Sequence, residues 1–135
     1  MSVENVEELL REHGLRATPQ RMTVVMALTH LSHPDADAVY SYARGRLSSM
    51  SLATVYNVLD KLRQVGLITM LDLHGRRYFD LRVEPHDHVR CRNCGQLLDV
   101  ARDPGTRLVM PSVASWMIEN QELVWEGLCP SCRQA

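Results

Sequence analysis

The chain is poor in several things that would each point to a familiar class. It carries almost no net charge, since 15 Lys+Arg against 16 Asp+Glu leave −1 over 135 residues. That balance excludes a histone-like basic tail and restricts any nucleic-acid contact to a local patch. Lysine is nearly missing: Lys61 is the only one, and every other basic residue is an arginine. No stretch reaches the roughly 18 apolar residues of a membrane-spanning helix, and there is no internal repeat or low-complexity tract. The start, MSVENVEELLREHG, lacks the basic residues and unbroken apolar core of a signal peptide, so a cytoplasmic protein without a membrane partner is expected. Cysteines number only four, and in a reducing compartment they invite a metal before a disulfide. A chain of this length also leaves little room for a loop-built catalytic site.

What is present falls into two halves. Val3, Val6, Leu9 and Leu10 mark an amphipathic helix ending near Gly14, and Thr18-Pro19 supplies an N-cap and first-turn proline for a second helix reaching about Leu31. After His33-Pro34, Asp35 can cap a third helix carrying Val39, Tyr42, Ala43 and Leu47. Ser51 opens a fourth, in which Leu52, Val55, Leu59 and Leu62 form the core stripe and Gly66 the stop. The other side of that helix offers Ala53, Thr54, Tyr56, Asn57, Lys61 and Gln64, small and polar groups with an aromatic that suit a DNA groove. LITMLDL and RRYFDL flank His74-Gly75, a hairpin signal. Helices followed by such a hairpin spell a winged helix-turn-helix, and Arg16, Arg21, Lys61, Arg63, Arg76 and Arg77 lie on the segments such a fold turns toward DNA. A solvated basic surface is the plain alternative; helix order, wing and charge together favour DNA.

Near Val83-Glu84-Pro85 the pattern changes to short strands at about 86–91, 96–100 and 122–128, with a turn at Asp103-Pro104-Gly105 and an apolar helix through Trp116 and Met117. The expected fold is α+β: a winged-helix DNA-binding domain over residues 1–82 and a small α/β domain over 83–135. The second half is marginal alone and needs a staple or a partner subunit.

Cys91-Arg-Asn-Cys94 and Cys129-Pro-Ser-Cys132 are two C-x2-C knuckles. Four thiolates in this arrangement close a tetrahedron around Zn2+ and leave no open position, so the site is structural and pins both ends of the small domain together. A second set is looser. His86 and His88 stand at i and i+2, both on one side of a strand, and Asp80, Asp99 and His33 complete a mixed N/O set suited to Fe2+ or Mn2+. Taken singly, His33-Pro34 also reads as a helix stop, and Asp80 and Asp99 as solvated strand-end acids. His13, His30 and His74 read as surface histidines.

In order, GLRATPQR, HPDADAVY, SLATVYNVLDKLRQVGLI, RRYFD, HDHVRCRNCG and GLCPSC resemble the Fur superfamily of metal-dependent transcriptional regulators over about residues 8 to 132. The resemblance implies a homodimer binding double-stranded palindromic operator DNA, with no enzymatic activity and no small organic substrate. By position it implies structural zinc at Cys91, Cys94, Cys129 and Cys132, and regulatory Fe2+ or Mn2+ at His33, Asp80, His86, His88 and Asp99. Arg16 resembles the family's minor-groove residue and Arg21 a phosphate contact, beside Ser51 as N-cap and Thr54, Tyr56 and Asn57 toward bases or phosphates.

An additional family site needs a histidine before the HxH run, a glutamate after CGxxx and a later histidine; here stand Pro85, Asp99 and no histidine beyond His88. With Asp99, the three-His, two-Asp set is similar to the peroxide-sensing branch, which implies His33 and His86 as oxidation targets. The alternative is a manganese- or iron-responsive regulator of metal supply. One ion held by residues from both halves would act as a clamp, and its loss would release a hinge near Pro85. Two readings of other classes compete: a metallohydrolase, which lacks an evident general base, and a zinc-stapled interaction module, which leaves the winged helix unexplained.

Overall fold

The structure is a computed structural model that describes residues 2–81, 86–102, 112–119 and 121–134. It divides into two compact units, Met1–Val83 and Glu84–Ala135. The expected linker at Pro85 and the turn at Asp103-Pro104-Gly105 lie outside the described residues.

The first unit begins with four helices: α1 (Val3–Glu12), α2 (Pro19–His30), α3 (Ala36–Arg44) and α4 (Leu52–Gln64). Each starts on a residue whose side-chain oxygen accepts from an otherwise orphaned backbone N–H. Thr18 accepts from Arg21 at 3.3 Å, Asp35 from Ala38 at 2.8 Å and Ser51 from Thr54 at 3.1 Å. A hairpin follows, β1 (Thr69–Leu73) antiparallel to β2 (Arg76–Asp80) with Leu73 opposite Arg76. Its two-residue turn has φ of 53° at His74 and 79° at Gly75. Positive φ at both central positions matches the right-handed twist of the strands, and glycine takes the second without a steric cost.

Val6, Leu10, Val24, Val25, Val39, Val55, Leu59 and Leu62 are completely enclosed, and Ile68 and Phe79 from the hairpin join the same core. The stripe on α4 differs from the sequence reading in one place. Leu52 is 36% exposed, and Val58 is the buried residue instead. Leu52 is the first helical residue, beyond the end of the packed layer, whereas Val58 sits one helical step from Val55 and one from Leu62.

The second unit is a three-stranded sheet in the order β4-β3-β5, with β3 (His86–Cys91), β4 (Leu97–Ala101) and β5 (Val124–Gly127), followed by the short helix α5 (Pro130–Arg133). β3 runs antiparallel to β4, with His88 opposite Asp99, and parallel to β5, with Cys91 opposite Gly127. The expected helix through Trp116 and Met117 is not formed: residues 112–119 are turn and irregular chain, and the two side chains are 76% and 81% exposed. An apolar run becomes a helix mainly when a core takes up one face, and these side chains face solvent. No helix among the described residues is long and apolar enough to cross a membrane.

Candidate metal centres and nucleic-acid interface

The four cysteines are brought together by both ends of the second unit. Cys91 closes β3, Cys94 follows in the tight turn, and Cys129 and Cys132 bracket the start of α5. Their sulfurs lie within 4.8 Å of one another and form no disulfide, with Cys94 Sγ and Cys129 Sγ 3.7 Å apart. A tetrahedral zinc with bonds of about 2.3 Å has sulfur–sulfur edges of about 3.8 Å, so the cluster fits structural zinc. Backbone donors point at the same sulfurs: Cys129 N–H donates to Cys91 Sγ and Cys132 N–H to Cys129 Sγ, each at 3.4 Å.

The electrostatics of the cluster also suit a cation. Backbone N–H groups, that of Cys94 foremost and then that of Cys129, hold the Cys91 thiol down to about 5. The Asn93 amide donates to Cys132 Sγ at 3.3 Å and lowers its pKa, but the crowd of neighbouring sulfurs, Cys129 first, and burial outweigh it and raise Cys132 to about 11. Four thiolates this close repel one another unless a positive ion lies among them.

The second ligand set appears as two preformed groups, one in each unit. In the second unit His86 and His88 project from the same face of β3, with ring centroids 4.6 Å apart. Asp99, across from His88 on β4, places Oδ1 at 3.0 Å from His86 Nε2 and 3.2 Å from His88 Nε2. Two imidazole nitrogens and one carboxylate oxygen thus converge, a donor set that fits Fe2+ or Mn2+ and is usable by Zn2+.

In the first unit His33 Nε2 lies 3.6 Å from Asp80 Oδ2. His33 holds a backbone φ of 46°, a left-handed conformation uncommon for a residue with a Cβ and often found at functional sites. The segment is held against the wing: Phe79 N–H donates to the Pro34 carbonyl at 2.9 Å, and Asp35, besides capping α3, forms an ion pair with the wing residue Arg76, whose Nε is 3.5 Å from Asp35 Oδ2.

The residues named for DNA lie in the first unit. Ser51 caps α4, and its Oγ is 2.8 Å from Thr54 Oγ1, so both hydroxyls sit at the helix start. Tyr56 is 44% exposed, and Ala53, Asn57, Lys61 and Gln64 share the solvent side of the helix with it. Arg16 is exposed, and Arg21 Nη1 donates to the Arg16 carbonyl at 3.1 Å, which fixes the turn that carries Arg16.

Three residues of these sites escaped sequence reading. Asn93, inside a knuckle, donates to a cysteine; Asp87, between the two histidines, pairs with Arg102 at 2.8 Å. Nothing local in the sequence pairs Asp87 with Arg102, fifteen positions later.

The model of the ferric uptake regulator family matches residues 12–119. The peroxide operon regulator of Bacillus subtilis is 35% identical over 132 residues, 93% of this chain and 89% of that protein. The transcriptional regulator FurA of Mycobacterium tuberculosis is 30% identical, over 97% of this chain and 92% of its own. Among solved structures, the ferric uptake regulator of Helicobacter pylori superposes with a TM-score of 0.74 over 100% of this chain and 96% of that one, at 22% identity, a likeness of fold alone.

Proposed function

The chain belongs to the ferric uptake regulator family of metal-dependent, dimeric, DNA-binding transcriptional regulators, which are not enzymes, and from that premise we propose that it is a repressor that senses hydrogen peroxide. The observation that carries the proposal is the convergence of His86, His88 and Asp99 within 3.2 Å, together with 35% identity to a peroxide operon regulator. Cys91, Cys94, Cys129 and Cys132 hold structural zinc. His33, Asp80, His86, His88 and Asp99 hold the regulatory ion.

The chain works as a homodimer on palindromic operator DNA in the cytoplasm, with residues 1–82 as the DNA-binding domain and 83–135 as the dimerisation domain. Support for the dimer comes from the sheet itself. Alternation and register put Val89, Leu98, Val100 and Trp125 on the face opposite the histidines, and all four are exposed, an apolar surface that a second copy would cover. On DNA, Ser51, Thr54, Tyr56 and Asn57 read the groove and phosphates, with Arg16 and Arg21 alongside.

In the regulatory site Asp80 and Asp99 supply the negative charge that neutralises a divalent ion, and the three imidazoles supply neutral donors. Bound there, Fe2+ would supply the redox chemistry that activates hydrogen peroxide, and the group at risk is a ring C–H of His33 or His86, which would gain one peroxide oxygen while the other left as water. The altered ring no longer serves as a ligand, and His33 is released from the set together with the segment tied to the wing.

The test loads the protein anaerobically with Fe2+ or Mn2+, adds hydrogen peroxide and analyses the peptides by mass spectrometry. One added oxygen on peptides containing His33 or His86, with iron only, is the expected result. A second reading, a sensor of metal supply, draws on a manganese uptake regulator structure of 27% identity and TM-score 0.67. Metal-dependent DNA binding with no oxidised histidine selects it.

A further inference from the structure

Asp87 lies between the two strand histidines, but its side chain points to the opposite face of β3. There its Oδ1 accepts from Arg102 twice, from Nη2 at 2.8 Å and Nε at 3.3 Å. Arg102 follows the last residue of β4, and its Nη2 also donates to the Gln121 carbonyl at 3.3 Å, just ahead of β5. One guanidinium therefore ties β3 to the segments that leave β4 and lead into β5, at the end of the sheet that carries His86 and His88. The Asp87 and Arg102 side chains are only 9% and 20% exposed, so the pair is little screened by solvent.

The other end of the same strand is held by the cysteine cluster. Between the two ends there is little else: among the described residues of this unit only Asp87, His88, Cys91 and Leu97 are buried. A sheet without an apolar core does not by itself hold two imidazoles at a fixed separation from a carboxylate on the next strand.

We propose that Arg102, acting through Asp87, is the positioning residue of the regulatory metal site. It sets where β3 lies against β4, and so where His86 and His88 stand relative to Asp99. This rests on the reading that those three residues bind the regulatory ion, and it goes beyond that reading by assigning affinity to a residue that touches no ligand.

The sign of one substitution separates positioning from simple electrostatics. Arg102→Met removes a positive charge near a cation site, which by Coulomb's law alone tightens cation binding. A positioning role predicts the reverse. Supports of this kind typically change metal affinity 10- to 100-fold, so Arg102→Met should weaken Mn2+ binding by at least about tenfold while each chain retains its zinc. The measurement is Mn2+ titration of full-length, zinc-loaded protein, read by electron paramagnetic resonance of the free ion, with zinc counted by elemental analysis.

Arg102→Lys keeps the charge but loses the planar fork, and an intermediate affinity is expected. Where Arg102→Met loses zinc or fails to fold, the lysine variant decides: weakened Mn2+ binding with zinc retained supports the proposal, and parental affinity overturns it. Arg102→Met that folds and binds Mn2+ as tightly as the parent, or more tightly, also overturns it. A parent chain that binds no Mn2+ sinks the regulatory-site reading and this inference together, whereas a parent that binds beside an unaffected Arg102→Met sinks this inference alone.

Discussion

Ten hydrophobic side chains among the described residues of the first unit, Leu10, Leu59 and Leu62 among them, are sealed from solvent, whereas the second unit gathers two imidazoles, two carboxylates and four thiols and buries, among the described residues, only Leu97 and Cys91 as apolar groups. The two halves are held by different forces. Removal of apolar area from water stabilises the first at about 25 cal/mol per Å2, a non-directional term that tolerates small shifts. The second relies on directional bonds to sulfur, nitrogen and oxygen, which fix geometry and vanish when a ligand or proton changes. A sensor needs the second kind where the signal arrives and the first kind where the readout surface must keep its shape.

The sharpest way to break the contrast is to take away zinc. Structural zinc contributes on the order of 10–16 kcal/mol in small zinc-dependent folds, so Cys132→Ala should unfold the second unit and leave α1–α4 intact. Limited proteolysis should then cleave within residues 84–135 while the first unit persists; equal digestion of both halves would contradict the division of forces.

Leu59→Ala reverses the experiment. It should lower the stability of the first unit by about 2–5 kcal/mol in urea unfolding with zinc content unchanged, and zinc loss in parallel would show that the halves are not separately supported.

Trp125→Glu tests whether the exposed apolar face of the sheet completes the second unit through a partner copy. A central interface residue is worth about 2 kcal/mol or more, so dimer dissociation in sedimentation should move to at least tenfold higher concentration.

The smallest effect is that of pH on zinc uptake. In the metal-free protein Cys91, at about 5, is already a thiolate at pH 7, whereas Cys132, at about 11, still carries its proton. Zinc binding must displace that proton, and affinity should rise about tenfold per pH unit for each proton released. Calorimetry in buffers of different ionisation enthalpy reads the proton count, and no proton release at pH 7 would contradict the assignment.

The parts legible in the sequence are those whose causes are local. Thr18, Asp35 and Ser51 each cap a helix by bonding a residue three positions on, and His74-Gly75 makes its turn with two residues. The cysteine knuckles were equally plain, because two residues of spacing set the geometry of each pair. What did not show was decided at a distance. The parallel pairing of β3 with β5 joins segments more than thirty residues apart, and Arg102 is one arginine among many until Asp87, fifteen positions earlier, is placed beside it. Trp116 and Met117 misled because an apolar run carries no record of whether a core will meet it.

The wing strand has a mechanical consequence. Arg76 and Asp80 stand four residues apart on the same side of β2, about 13 Å at the rise of an extended strand. Residues 33–35 run along its edge, His33 reaching Asp80 at one end and Asp35 reaching Arg76 at the other. A strand so short, laddered to β1 throughout, does not flex between those points. With Phe79 between them held in the core, the two contacts are marks on one ruler, and the spacing of residues 33–35 along the wing is set by the pleat of β2.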